Sequence, residues 1–466
     1  MTGIGLDFGT TNTTLAVLHD GELTYLDIDA GSDNPKIMPT ALYLTRQIDH
    51  LVGSSAIKRY LSDNSGRSVR LQRIDVGEIT MTFSATDTQV ADKDSGDTTT
   101  THRVTGYEDS ALPGRLFRGL KTFLGVVDQP RFKVFDRQFH IVALITLILR
   151  EIREFIVAQG NDGTAIHIGR PVQYGAGPAA NETALRRMEE ACRNAGFEDF
   201  VFFPEPVAAS LSYLQHHQQR PRRLLTFDFG GGTLDLCLLD CAGEEFKVLG
   251  TAGLAIGGNR IDQMIMESLV FPQIGQGCLI KSSQSKGQAD TEFPFYQYSD
   301  YLLNWQTAYM INQPALLETV FSGMRSGAKQ RTKLARLWKL IRGNHAYSLL
   351  NATETAKAAL SQSEQTVIEL KEIDLAVPMS RGTLEGILAP VVGQIQELVD
   401  SLLKRTGTQA GDIERVVCTG GSSQLVPVQR MLERQFSGRI VKFDYYRSIA
   451  AGLAIANAER YDAVLV

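Results

Sequence analysis

Residues 3–13 read GIGLDFGTTNT. Ile4, Leu6 and Phe8 alternate with period two, as one face of a β-strand does. Asp7, Gly9, Thr10, Thr11 and Asn12 then crowd its end with small polar groups. A tight turn without a ligand satisfies that pattern, and so does a loop built to receive one. Residues 224–240, LLTFDFGGGTLDLCLLD, weigh for the second: a strand, an aspartate (Asp228), a glycine-rich turn with Thr233, and another strand. A repeated phrase carries more than either copy alone. It predicts two related lobes, each opening with a hairpin whose turn bears the same polar set.

A third such turn stands at 420–423, GGSS, after the apolar run VVCT. Glycine admits close backbone approach, so successive N–H groups of Gly9, of Gly230, Gly231 and Gly232, and of Gly420 and Gly421 can face an anion. Threonine and serine (Thr10, Thr11, Thr233, Ser422) add hydroxyl donors. Asp7 and Asp228 beside the first two turns would repel bare phosphates. A hydrated divalent cation resolves the conflict, since Mg²⁺ prefers oxygen ligands and keeps much of its water. Asp7 and Asp228 are therefore the candidate metal residues, acting through water. A polyphosphate held between lobes also needs a carboxylate to orient water and a lysine to offset charge at the γ-phosphate. The pattern alone does not say which residues these are. No GxxxxGK[ST] occurs, and the glycines open a hairpin rather than a helix, so neither a Walker A loop nor a dinucleotide fingerprint is present.

With 466 residues the chain can bury large cores and is expected to hold more than one domain. The net charge of −5 gives no case for nucleic acid or an anionic membrane as partner. Cys192, Cys237, Cys241, Cys278 and Cys418 lack zinc-site spacing and read as buried thiols of a reducing compartment. His140, His167 and His345 show no metal spacing either. The longest apolar run, FHIVALITLIL at 139–149, is too short to span a bilayer and reads as a buried helix. The start MTGIGLDFG lacks the basic segment and apolar core of a signal peptide, so a cytoplasmic location is expected.

Along the chain, HDG at 19–21 marks a hairpin turn, and residues 84–105 form a Thr- and Asp-rich surface insertion. From LPGRLFRGLKTFLG, beginning at 112, the pattern reads as helical through 158. A strand follows at 164–172, then a helix at 181–196 capped by Asn181 and closed by Gly196. FEDFVFFPEPVAASLSYL gives a strand, a proline-flanked glutamate and a helix. Residues 283–345 are mostly helical and locally basic; Leu334, Leu337, Trp338 and Ile341 share one face of an amphipathic surface helix. Residues 351–370 give a helix and a strand, RGTLEGILAPVVGQIQELVDSLLKRTG one or two long helices, and the last helix begins near Ser448.

Taken in order, GLDFGTTN, DFGGGTLD and TGGSS resemble the actin-like ATPase superfamily. PEPVAASLSYL and ETAKAALS make the resemblance most specific to the nucleotide-binding domain of the Hsp70 family, over nearly the whole chain. The resemblance implies an α/β, two-lobed actin-like ATPase (ribonuclease H-like) fold with a cleft between lobes. Lobe I would span 1–205 with a polar insertion near 74–110. Lobe II would span 206–445 with a divergent, mainly helical subdomain near 260–350, where a protein partner is expected. Residues 446–466 would return a C-terminal helix to lobe I. The implied ligands are ATP and ADP with Mg²⁺. Lys121 in LKTFLG matches the family's catalytic lysine, and Glu205 the glutamate that helps place the water. Asp7, Asp228 and Asp235 match the carboxylates around magnesium and its waters. Thr10, Thr11 and Thr233 match phosphate-side hydroxyls, and Gly257 and Gly258 the phosphate-proximal pair. Glu354, Lys357 and Ser361 match the adenosine-side helix, and Gly420, Gly421 and Ser422 the adenosine-side turn.

Two departures bear on base recognition. Ala358 and Gln424 stand where the family carries the arginines that flank the adenine, and DYYR (444–447) replaces its NPDE. Tyr445 or Tyr446 is a candidate substitute by stacking. The family's full chaperones continue into a peptide-binding domain, whereas this sequence closes on AERYDAVLV; coupled client binding in the usual form is therefore not expected. Three functions remain open: a slow ATPase switch, a nucleotide sensor without turnover, and a metabolite kinase of the same superfamily.

Overall fold

The structure is a computed structural model that describes residues 2–64, 67, 70–83, 98–126, 131–161, 165–174, 177–217, 220–241, 246–280, 290–304 and 308–461. The chain divides into two compact units. The first comprises 1–63, 114–274 and 348–466; the second comprises 64–113 and 275–347.

Two sheets organise the first unit. One is built on β1 (Thr2–Phe8), β2 (Asn12–His19), β3 (Glu22–Tyr25), β4 (Ile166–Arg170) and β5 (Phe200–Pro204), in the order β5-β4-β1-β2-β3, with Met38–Pro39 on β2. The other is built on β6 (Arg223–Phe229), β7 (Leu234–Asp240), β8 (Lys247–Leu254), β9 (Arg415–Thr419) and β10 (Ile440–Lys442), in the order β10-β9-β6-β7-β8. In each sheet the first strand makes an antiparallel hairpin on one side and a parallel pair on the other. Asp7 pairs with Thr14 in one hairpin and Asp228 with Asp235 in the other. The duplicated phrase is therefore a duplicated sheet, as the two-lobed actin-like ATPase fold requires. Strands β6 and β7 are buried on both faces, which explains their near-continuous apolar sequence.

Helices cover these sheets. The helix α1 (Ile141–Ala158) buries Ile141, Leu144, Ile145, Ile148, Leu149 and Ile152, and packs on α2 (Pro178–Asn194). Each such side chain contributes about 1.5–3 kcal/mol, so the apolar run belongs to a core. No helix among the described residues is long and apolar enough to cross a membrane. Next come α3 (Glu205–His216), α4 (Gly258–Ile265), α5 (Ala346–Ala359), α6 (Arg381–Arg405) and α7 (Val426–Gln435). Within them α6 is one continuous helix containing Pro390, and the Ser380 hydroxyl accepts the Thr383 N–H at its start. The last helix, α8 (Ser448–Ala458), lies on β1 and α3 backbone to backbone. A Cβ on Gly5 would meet main-chain atoms of Ala450 and Ala454, one on Gly3 those of Ala454 and Ala458, and one on Gly452 those of Ala208. Asn457 fixes the register: its Oδ1 accepts the Ile4 N–H at 2.9 Å and its Nδ2 donates to His167 Nδ1 at 2.9 Å.

In the second unit Leu71–Phe83 and Thr98–Asp109 form a hairpin. The insertion read over 84–105 is thus partly a strand, and 84–97 lies outside the described residues. Helices Tyr296–Leu303, Pro314–Gly323 and Ala328–Arg342 carry the buried Tyr298, Leu302, Val320 and Leu334 of this unit's own core. Residues 283–289 and 305–307, within the stretch read as helical and basic, also lie outside the description.

Three local readings are corrected. Residues 112–158 are not helical throughout. A strand at Gly114–Arg118 pairs with Ala41–Thr45, a short turn covers Leu120–Phe123, a hairpin joins Arg131–Val134 to Arg137–His140, and only then does α1 begin. Leu116, Phe117 and Leu120 satisfy a helical spacing as well as a strand, and pairing with a distant segment decides between them. Asn181 does not cap α2. The cap is Gly177 with Pro178 at the first turn, while the Asn181 Oδ1 accepts the Tyr174 N–H at 2.7 Å. Trp338 is 38% exposed, and Leu340 takes its place beside Leu334, Leu337 and Ile341 in the core.

Replacing Gly452 with alanine forces α8 away from α3. Overpacking of this kind costs about 1–3 kcal/mol, so a Gly452→Ala protein should show a lowered urea midpoint with an unchanged slope.

Candidate functional site

The two hairpins deliver their turns to one place. The Gly9 N–H donates to the Asn12 carbonyl at 3.0 Å, and the Gly230 N–H to the Thr233 carbonyl at 2.9 Å, so both loops close with the same hydrogen bond. They also touch: a Cβ on Gly231 would meet the Thr11 hydroxyl, and one on Gly232 the Thr10 hydroxyl. Only glycine allows that approach. Behind the second loop, Gly258 and Asn259 N–H groups donate to the carbonyls of Gly230 and Gly231. A Cβ on Gly257 would meet the Gly231 backbone. Gly257 therefore supports the loop from behind.

A cavity of about 340 Å³ opens beside these loops. Asp7, Gly9, Thr10, Thr11 and Asn12 line one side, and Asp228, Gly230, Gly231, Gly232 and Thr233 the other. Lys121 and Glu205 line it too, as do Gly420, Gly421, Tyr445 and Tyr446. The Lys121 ammonium lies 2.6 Å from Glu205 Oε1, with both side chains buried. A left-handed Gly119 (φ 66°) introduces the turn that carries Lys121, and Glu205 opens α3 directly after the edge of β5. Lys121 also rests 5.8 Å from the centre of the Tyr174 ring.

The electrostatics follow from crowding acids in a dry place. Burial, then the neighbouring Glu205, push the Asp7 carboxyl well above its usual range, with Asp228 adding to the effect. The same two causes push Asp228 up to about 7, against a 2.9 Å hydrogen bond from the Thr419 hydroxyl. Asp235 is pushed up to about 8 by burial, Glu205 and Asp228, although the Val172 N–H donates to it at 2.7 Å. Asp235 does not line the cavity; it stands one strand behind Asp228. Burial pulls the Lys121 ammonium down, but Glu205, Tyr174 and Asp7 outweigh it and hold it above the usual lysine range.

A second cavity of about 280 Å³ shares Thr11, Asn12, Gly230, Gly231, Gly421 and Tyr446 with the first. Gly258, Glu354, Lys357, Ser361 and Ser422 line it, and so do Ala358 and Gln424. The Lys357 ammonium donates to Asp262 at 2.8 Å and to the Gly258 carbonyl at 3.2 Å. Burial raises Asp262 to about 6 despite that lysine. The Ser422 hydroxyl donates to the Gly230 carbonyl at 2.9 Å, tying the third turn to the second. Sequence reading missed Asp262, Tyr174 and Thr419. Asp262 follows Gly258 by one helical turn in GGNRID, which is the signal that could have found it; Tyr174 and Thr419 carry none.

The donor set suits a polyphosphate with magnesium. The half-buried Asp7 and the buried Asp228, Asp235 and Glu205 stand around a single ammonium, an excess of hard oxygen donors that a divalent cation would relieve. The Thr11 hydroxyl is buried and has no hydrogen-bond partner among the described residues. Nor do three acidic, histidine or cysteine side chains among these residues gather at direct-ligation distance; Mg²⁺ asks for fewer protein ligands than that.

Residues 178–282 and 341–458 match the family model described as Hsp70 protein. Over these residues the chain is similar to the Hsp70 family. It is 22% identical over 443 residues to Chaperone protein DnaK of Prochlorococcus marinus strain MIT 9515, covering 92% of this chain and 54% of that one. It is 23% identical over 441 residues to Chaperone protein dnaK1 of strain MIT 9313, covering 92% and 52%. The chain thus spans about half the length of the curated Hsp70 relatives it matches. The family-model match contains the DFGGGT turn at 228–233, Glu205, α5 from Ala346 to Ala359 and the GGSS turn. The overlap with the relatives extends the likeness over nearly the whole chain.

The raised carboxyls make ligand-free stability depend on pH. Between the unfolded carboxylate value of about 4 and the folded values of about 7 and 8 for Asp228 and Asp235, the folded state binds more protons. Stability is therefore fully present below about pH 4 as far as these groups decide it, and is lost as pH rises through 7 and 8. Thermal unfolding without ligand should show a falling midpoint across that window, and Asp228→Asn should flatten the slope.

Proposed function

We propose that this chain binds a Mg²⁺–ATP complex between its two sheets and hydrolyses it slowly as a conformational switch. The observation that carries the reading is the convergence of both Asp–Gly–Thr loops on the buried Lys121–Glu205 pair. The Gly9 and Gly230 N–H groups close their own loops, so the phosphates would be held through the N–H groups of Gly231 and Gly232 and the hydroxyls of Thr10, Thr11 and Thr233. Asp7 and Asp228 would hold the metal through its waters, with Asp235 behind them. When bound, the ion supplies charge neutralisation at the phosphate oxygens. Glu205 Oε1 fixes the Lys121 ammonium, which leaves two of its N–H groups to face the transferring phosphoryl group. Glu205 Oε2 would help position the water for in-line attack, the water oxygen bonding to the γ-phosphorus as the bond from that phosphorus to the ADP oxygen breaks. Glu354, Lys357, Ser361, Gly421 and Ser422 would hold the nucleoside. ADP is the expected product ligand. The cytoplasmic setting and a protein partner at the helical second unit belong to the same proposal.

Calorimetry with ATP, ADP and GTP in the presence of Mg²⁺, followed by phosphate release, tests it. ATP should bind, and release should need no added acceptor. In Lys121→Ala release should fall by about 10²-fold or more, the size of losing one transition-state charge donor, while ATP binding persists. Binding without release above background would make the protein a sensor. Release only with an added metabolite would make it a kinase.

A further inference from the structure

The base end of the second cavity has lost one kind of contact and holds another. Ala358 and Gln424 both line it, so neither position offers a cation to a nucleobase. Lys357 lines it as well, but its ammonium is engaged by Asp262 and the Gly258 carbonyl. Arg447, next to the tyrosine pair, turns away: its Nε lies 3.1 Å from Asp444, and its guanidinium sits 4.8 Å from the centre of the Tyr25 ring.

What stands at this end instead is an aromatic face. Tyr446 lines both cavities, whereas Tyr445 lines only the one with the phosphate loops. The Tyr446 ring lies across Gly421: its hydroxyl and two ring carbons fall 3.0–3.5 Å from where a Cβ on that glycine would be. The absence of a side chain at Gly421 is what lets the ring lie there. Its main chain is held on both sides. The Thr14 hydroxyl donates to the Tyr446 carbonyl at 3.4 Å, and the Gly420 N–H donates to the Tyr445 carbonyl at 3.0 Å. At 45% exposure the ring keeps an open face. A large, anchored, half-exposed aromatic beside a glycine turn, where two phosphate loops end, has the geometry of a stacking platform.

We propose that Tyr446 is the surface on which this protein stacks the nucleobase, taking over from the cation pair that its relatives' pattern would place at 358 and 424. The proposal rests on the nucleotide reading given above and assigns the specificity for a base-bearing ligand to one side chain.

The test compares the full chain with its Tyr446→Ala and Tyr446→Phe variants by calorimetry, using Mg²⁺ with ATP and Mg²⁺ with tripolyphosphate, which has no base. Tyr446→Ala should weaken ATP by about tenfold, a typical size for one base–aromatic stack. Tyr446→Phe should keep ATP affinity within about twofold, because the ring and not the hydroxyl makes the contact. Tripolyphosphate should bind all three alike. Equal ATP affinity in Tyr446→Ala and the parent overturns this proposal alone. Parallel loss of both probes in Tyr446→Ala also overturns it, since the residue would then be holding the loops. A parent protein that binds neither probe overturns the nucleotide reading and this proposal together.

Discussion

Four carboxyls, three of them buried and that of Asp7 half-buried, share one ammonium, and the arrangement of the first unit follows from that imbalance. Removing an ionised carboxylate from water costs several kcal/mol, and a single lysine offsets one such charge well. Here Lys121 is committed to Glu205. Asp7, Asp228 and Asp235 are left to be held as raised acids by burial and mutual repulsion. A fold that needed only stability would place apolar side chains there. The cost is tolerated at the one point where two sheets bring their glycine turns together, so the cluster marks the place where charge from outside is expected.

The close approach of backbones makes that point rigid. Gly231 and Gly232 let the two loops touch, Gly257 lets a third segment press against the second loop, and Ser422 ties the third turn to it. At the other end of β1, Gly3 and Gly5 admit α8 without intervening side chains, and Gly452 does the same between α8 and α3. Glu205 begins α3, so the helix that fixes this glutamate is clamped by the helix that closes the first sheet. Positioning of this kind is what catalysis by charge placement needs.

The departures from the family pattern collect on one side. The first cavity keeps both Asp–Gly–Thr loops, the lysine and the glutamate, while Ala358, Gln424 and Tyr446 line the second. The two ends are built from different elements, loops of paired hairpins on one side and α5 with the GGSS turn on the other. One can therefore change while the other is kept.

The amino-acid sequence by itself determined the duplicated hairpins, the three glycine turns and the residues Asp7, Asp228, Gly231 and Thr11, because local chemistry at fixed spacing reports a strand end and its turn. Resemblance added Lys121, Glu205 and Lys357, none of which has a local signature. The tertiary structure alone decided that Gly114–Arg118 is a strand, that Trp338 faces outward, and that Asn181 holds Tyr174 instead of capping a helix. It also paired Lys121 with Glu205 and Lys357 with Asp262, and separated Tyr446 from Tyr445. These outcomes rest on contacts between segments tens to hundreds of residues apart. Periodicity along the chain carries no record of which distant partner will supply a hydrogen bond, a charge or a covering side chain.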